Sequence, residues 1–168
     1  MLDPFPTSDQ AEARQTMGRQ IHVDLERTIP APPARVHAAL ADYHGRARVL
    51  PDSYLDWTVE EGGDGGGTVV SYRLRAGRRE RRYRMEVAEP TPGVTLVERD
   101  RESSLVTTWI LNPTASGTAT RLRLSTIWEG HGGVGGLFER TFAPRGLRRI
   151  HGELLDRLTR QLGAEPGG

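Results

Sequence analysis

The chain is 168 residues long, the size of one domain at about 100–200 residues each, and its hydrophobic share of 36% suits a packed core. It has no cysteine, and none of its 23 basic residues is lysine, which excludes disulfides, thiolate catalysis, Schiff-base chemistry and a phosphate-loop lysine. A formal net charge of +1 is too small to argue for nucleic-acid binding.

Residues 1–19 mix Pro, Gln, Ser and both charge signs. They lack the apolar run of about 7–15 residues that a secretory leader needs, and nothing longer suggests a membrane span. We expect a flexible tail there and, by default, a cytoplasmic protein. Over 20–29, Ile21, Val23 and Leu25 alternate with His22, Asp24 and Glu26, the pattern of a half-buried strand. Pro32 and Pro33 suit the start of a helix, and Val36, Leu40 and Tyr43 then form one apolar stripe. Gly45 is expected to end that helix, leaving RARVL before Pro51 room for one short second helical turn.

Strands follow over 54–60, 68–75, 80–88, 94–101, 104–112 and 118–129, none interrupted by an interior proline. Their joints, EGGDGGG, AGRR, EPTPG, RESS and NPTASG, are turn chemistry, and joints this short imply antiparallel neighbours. Residues 104–112 are apolar on both parities, so the inward face of that strand stays open. After the connector GHGGVGG (130–136), Leu147, Ile150, Leu154, Leu155, Leu158 and Leu162 recur at helical steps. Pro144 and Gly146 are expected to kink this helix or to split off a first segment over 134–143. Residues 163–168 read as a frayed end, leaving a single domain over 20–162.

The connector matches GxGxxG, but a dinucleotide fold needs a second strand ending in an acid about 20 residues later. The 33 residues after Gly135 read as helix throughout. The glycines therefore read as a corner, or as a gate, and no nucleotide cofactor is expected. Histidines 22, 37, 44, 131 and 151 form neither HExxH nor HxH, so no metal is expected either. One antiparallel sheet of six or seven strands and one amphipathic helix make an α+β fold. The sheet curls around the helix, and a cavity is expected between them.

Four segments carry a family resemblance: IPAPPARVHAALADY (29–43), VAEPTPGVTLVER (87–99), TTWILNPTASGTATRLRL (107–124) and GELLDRL (152–158). With them the chain resembles the helix-grip superfamily of START-related and birch-pollen-allergen-like proteins, and within it the polyketide cyclase/dehydrase group. The resemblance covers about 20–162. It implies a curved sheet wrapped around a long C-terminal helix, with two short helices after the first strand. Such proteins include lipid and hormone carriers and aromatic polyketide cyclases. They share no single catalytic motif, so the resemblance assigns no catalytic residue.

The candidate cavity residues are aromatic or polar and lie on predicted strands. Trp57, Tyr72, Tyr83, Trp109 and Trp128 suit either core filling or a pocket lining with placed donors. Met85 shares the Tyr83 face. Tyr72 and Tyr83, on neighbouring strands, form the preferred pair. Residues 73–84 hold seven arginines. Strand parity sends Arg73, Arg75, Arg82 and Arg84 outward and points Arg81 toward the cavity, where its guanidinium suits a carboxylate or an enolate oxygen. With Arg78 and Arg79 the outward set forms either a solvated face or a docking patch for an acidic partner, such as a carrier protein presenting an acyl chain. Glu98 shares a parity with Leu96 and faces inward opposite an arginine on one of two comparable readings. His131 sits at the expected cavity mouth.

Three functions follow. The first is a binder of a small hydrophobic or aromatic molecule. The second is a cyclase or dehydratase acting on a poly-carbonyl substrate, with Arg81 or Tyr72 stabilising the enolate oxygen. The third is an interaction module that uses the arginine-rich hairpin.

Overall fold

The computed structural model describes residues 20–130 and 143–164. Strand β1 (Gln20–Ile29) leads into helix α1 (Pro33–Ala41) and a short 3-10 turn (Gly45–Arg48). Strands β2 (Tyr54–Glu61), β3 (Val69–Ala76), β4 (Arg79–Thr91), β5 (Thr95–Asp100), β6 (Val106–Pro113) and β7 (Thr120–Glu129) follow, and helix α2 (Ala143–Ala164) comes last. The strands form one antiparallel sheet in the order β1-β7-β6-β5-β4-β3-β2. Neighbours in sequence are thus neighbours in the sheet from β2 to β7, and β1 closes on β7. This is the helix-grip α+β architecture. Expectations for residues 1–19, for the glycine connector beyond Gly130 and for 165–168 lie outside the described residues.

Helix α1 starts with Pro33 at its first position, where the missing N–H would have no intrahelical partner. It ends at Ala41 and not at Gly45. Asp42 leaves helical geometry at ψ 89, and its carboxylate accepts the Gly45 N–H at 2.8 Å, which tightens the next residues into the 3-10 turn. A Cβ at Gly45 would lie 2.1 Å from Asp42 Oδ2, so a side chain there would push the Asp42 carboxylate off the Gly45 N–H. The β3–β4 hairpin closes through Gly77–Arg78, between the paired residues Ala76 and Arg79, with φ +66 at Gly77 as a type II′ turn demands.

Helix α2 runs unbroken through Gly146. Pro144 is its second residue, where proline costs no intrahelical bond, so the expected break does not form there. The segment expected over 134–143 lies, apart from Ala143, outside the described residues. The whole stripe Leu147, Ile150, Leu154, Leu155, Leu158 and Leu162 is buried, and its last four members share one core with Ile29, Leu96, Leu111, Leu122 and Leu124. Each such burial stabilises by roughly 1.5–3 kcal/mol. Thr107, Trp109 and Leu111 are the buried residues of β6, which decides the face that its composition leaves open. Neither described helix is long and apolar enough to cross a membrane.

Helix α1 is fastened to the β4–β5 turn through Glu89, which accepts the Gly93 N–H at 2.7 Å and lies 2.5 Å from His37 Nε2. The Gly93 N–H, and after it His37, hold the Glu89 carboxyl below its ordinary value against the opposing effect of burial. A depressed folded value stabilises above the unfolded one, about 4.3, and that contribution disappears as pH falls through the folded value. We expect Glu89→Gln to cost about 1–2 kcal/mol at pH 7 and the difference to shrink steadily as the pH is lowered below the ordinary carboxylate range, as read by urea denaturation over a descending pH series.

Candidate functional site

One irregularity enlarges the aromatic lining of the sheet's inner face. In β2, Leu55 pairs with Arg73 and Thr58 with Ser71, so Asp56 and Trp57 together oppose the single residue Tyr72. Asp56 adopts φ 56, and its carboxylate accepts Arg73 Nε at 2.6 Å. This bulge brings Tyr54 and Trp57, three residues apart, onto the same ring: their centroids lie 5.1 and 5.3 Å from that of Tyr72. Tyr72 pairs across the hairpin with Tyr83, at 5.6 Å between rings. On the other side Trp57 stacks on Tyr43 at 6.4 Å and donates its Nε1–H to the Tyr43 carbonyl at 2.9 Å. The aromatic row thus crosses the inner face from Tyr43 to Tyr83, where Arg81 sets its guanidinium 5.5 Å from the ring.

A cavity of about 500 Å³ opens between the start of α2 and the β3–β4 hairpin. Among the described residues its walls are Leu74, Tyr83, Leu105, Trp128, Leu147 and Ile150, and its rim carries Arg78, Arg79, Glu80, Arg81 and Glu129. Leu74, Tyr83, Leu105 and Leu147 also border a much smaller inner chamber of about 20 Å³, so these four form a collar between the two spaces.

The closed end of the chamber is polar. Arg46, from the 3-10 turn, is 2% exposed, and its Nη1 donates to Glu98 Oε1 while Nη2 donates to the Leu40 carbonyl. The same Glu98 oxygen accepts Tyr43 O–H at 2.9 Å and Trp109 Nε1–H at 3.1 Å. The guanidinium also lies 4.1 Å from the Tyr43 ring centroid and 5.3 Å from that of Trp109. Burial pushes the hydroxyls of Tyr43, Tyr54 and Tyr72 well above the ordinary phenol value, so all three keep their protons at neutral pH. His151 of α2 also lines the chamber. It is 4% exposed, its Nδ1 has no hydrogen-bond partner, and burial lowers its pKa to about 4, so the ring is neutral. The site therefore offers uncharged donors and acceptors around one internally neutralised ion pair.

The structure brings Trp57, Tyr72, Tyr83, Glu98 and Trp109 together around the inner chamber. Trp128 stands on the outer wall, and Met85 is fully buried in the core beside the tyrosines. Arg81 borders the cavity at its exposed rim, and the arginine facing Glu98 is Arg46. His131 lies outside the described residues. Of the outward arginines, Arg73 pairs with Asp56 and Glu80, Arg75 with Glu80, and Arg84 with Glu60. Arg78 and Arg79 stand on the cavity rim, and Arg82 is exposed opposite Arg73.

Tyr43, Arg46, Tyr54 and His151 join the site without a sequence signal that had singled them out. His151 was within reach, since it lies four residues after Leu147 and three before Leu154 on the apolar stripe. Among the described residues no group of three His, Asp or Glu is placed to hold a metal ion.

Removing one member of a buried ion pair strands the other charge, at a cost of about 3–5 kcal/mol. We expect Glu98→Leu and Arg46→Met each to lose stability on that scale, and the double variant Arg46→Met/Glu98→Leu to recover most of it. Urea midpoints of the four proteins check this, and additive losses would refute it.

Residues 20–163 match the family model described as polyketide cyclase/dehydrase and lipid transport. No curated protein sequence matches significantly. Among solved structures, the chain is similar to the KanY protein at 39% identity and a TM-score of 0.77, with 87% of this chain and 99% of that one covered. The protein TTHA0849 from Thermus thermophilus is 22% identical at a TM-score of 0.73, with coverages of 86% and 98%. The Zhui aromatase/cyclase from Streptomyces sp. R1128 is 18% identical at a TM-score of 0.72, with coverages of 86% and 94%. At those two identities the likeness concerns the fold. With the sheet, both helices and the cavity walls inside the matched span, the chain belongs to the polyketide cyclase/dehydrase and lipid transport family.

Proposed function

We propose that the protein binds a small hydrophobic or aromatic molecule in the cavity between the sheet and α2. The cavity itself carries this reading. Its volume of about 500 Å³ lies within the range of roughly 300–1,000 Å³ usual for small-molecule sites. Apolar and aromatic walls supply the burial, while tyrosine hydroxyls and one imidazole at the inner end supply orientation. The rim arginines 78, 79 and 81 suit an anionic group that stays at the mouth, whether on the ligand or on an acidic carrier protein presenting it.

One observation favours a second reading, a cyclase or dehydratase acting on a poly-carbonyl chain. The hydroxyls of Tyr54 and Tyr72 and the ring of His151 converge on the chamber and are uncharged, so they suit a developing enolate oxygen as donors. Folding such a chain into a reactive geometry lowers the barrier without a nucleophile. The interaction-module reading has less behind it, because three of the outward arginines already hold acidic side chains of the same protein.

We expect the dye 1-anilinonaphthalene-8-sulfonate to bind the native protein with enhanced fluorescence. Leu147→Trp, which fills the collar, should weaken it at least about tenfold while the protein stays folded by circular dichroism. No binding, or binding indifferent to Leu147→Trp, would overturn the cavity reading. Turnover of a poly-β-ketone that Tyr72→Phe lowers while dye binding persists would establish the enzyme over the carrier.

A further inference from the structure

His151 is a buried polar group without a function in the fold. It lies on the apolar stripe of α2 between Leu147 and Leu154, is 4% exposed, and its Nδ1 makes no hydrogen bond. A buried nitrogen left without a hydrogen bond destabilises the fold, and an apolar residue at this position would avoid that cost. Of the other polar groups at the chamber, Thr107 and Thr126 bond each other at 2.9 Å, Arg46 and Trp109 both donate to Glu98, and the Tyr54 and Tyr72 hydroxyls belong to the sheet, whereas His151 is the polar side chain that α2 brings to the chamber. Building on the cavity reading above, we infer that His151 is the polar anchor of the site, and that the ligand is an aromatic molecule whose inner end is uncharged and carries a single hydroxyl, which passes the Leu74–Tyr83–Leu105–Leu147 collar to reach the imidazole.

Three features of the chamber select that chemistry. The first is size. About 20 Å³ holds one water-sized group, which suits one hydroxyl oxygen and leaves the ring in the larger outer cavity against Tyr83 and Trp128. The second is charge. The one buried cation, among the described residues, already faces Glu98, so an entering carboxylate would lack a counter-charge and an ammonium group would fare no better beside a neutral ring. The third is hydrogen-bond polarity. A neutral imidazole presents each ring nitrogen either as donor or as acceptor according to its tautomer, and a hydroxyl matches both, whereas a carbonyl matches only one. An acidic group on the same ligand is instead accommodated at the mouth, next to Arg78, Arg79 and Arg81.

The test compares naphthalene, 2-naphthol and 2-naphthoate by calorimetry at pH 7 on the native protein and on His151→Leu. The native protein should prefer 2-naphthol to naphthalene by about three- to tenfold. His151→Leu should abolish that preference without weakening naphthalene. Binding of 2-naphthoate, with its carboxylate at the rim, should be the same in both proteins. In the native protein the ¹⁵N resonances of the His151 ring should move on adding 2-naphthol and stay in place with naphthalene, a readout that does not depend on the variant folding. Retention of the naphthol preference in His151→Leu, or an unmoved imidazole resonance, overturns the anchor while leaving the cavity reading intact. Failure of all three compounds to bind the native protein overturns both.

Discussion

A single buried ion pair sets the geometry of the binding face. Arg46 comes from the short turn after α1, Glu98 from the middle of β5, and neither reaches bulk water. Charges so placed are tolerated only when paired and hydrogen-bonded, which fixes how the turn docks on the sheet. Tyr43 and Trp109 complete the coordination of Glu98, and the Leu40 carbonyl takes the second guanidinium nitrogen. With that end held shut, the opening lies at the other end, beside the β3–β4 hairpin and the start of α2. The same pair cancels its own charge, so the interior beyond it is polar without being ionic.

Around that anchor the sheet arranges an aromatic lining that regular strand geometry would not produce. Alternation alone would put Tyr54 and Trp57 on opposite faces. The bulge at Asp56 adds one residue, and both rings then meet Tyr72. The left-handed backbone of Asp56 is stabilised locally by its contact with Arg73, which links an outer-face ion pair to the shape of the inner face.

The arginines of the hairpin divide into two groups with different surroundings. On the outer face Arg73, Arg75 and Arg84 are matched by Asp56, Glu80 and Glu60, so their charge is largely spent within the sheet. Exposed pairs of this kind add little to stability, and their main effect is to leave that face close to neutral. Arg78, Arg79 and Arg81 border the cavity, where Glu80 and Glu129 are the acidic residues of the rim. A concentration of positive charge along twelve residues of sequence thus becomes a local one at the mouth.

Most of the architecture was legible in the chain itself, because periodicity and turn chemistry are local properties. The strand runs, a turn within AGRR and the leucine stripe of α2 follow from spacing alone, as does the cross-strand placement of Tyr72 and Tyr83, while the structure narrows that turn to Gly77–Arg78. Glu98 was readable as inward only on one of two parities, and its partner not at all: Arg46 sits in a four-residue turn too short to show a pattern. Tyr54 depended on a bulge, which counts residues on two strands at once and has no signature within either. His151 lay on a visible stripe, yet its want of a partner is a property of everything packed around it. Sequence determined which segments become strands and helices, since each obeys its own local energetics. Only the tertiary structure decided which charges cancel, which rings meet and which nitrogen is left to a ligand, because those depend on groups brought together from distant parts of the chain.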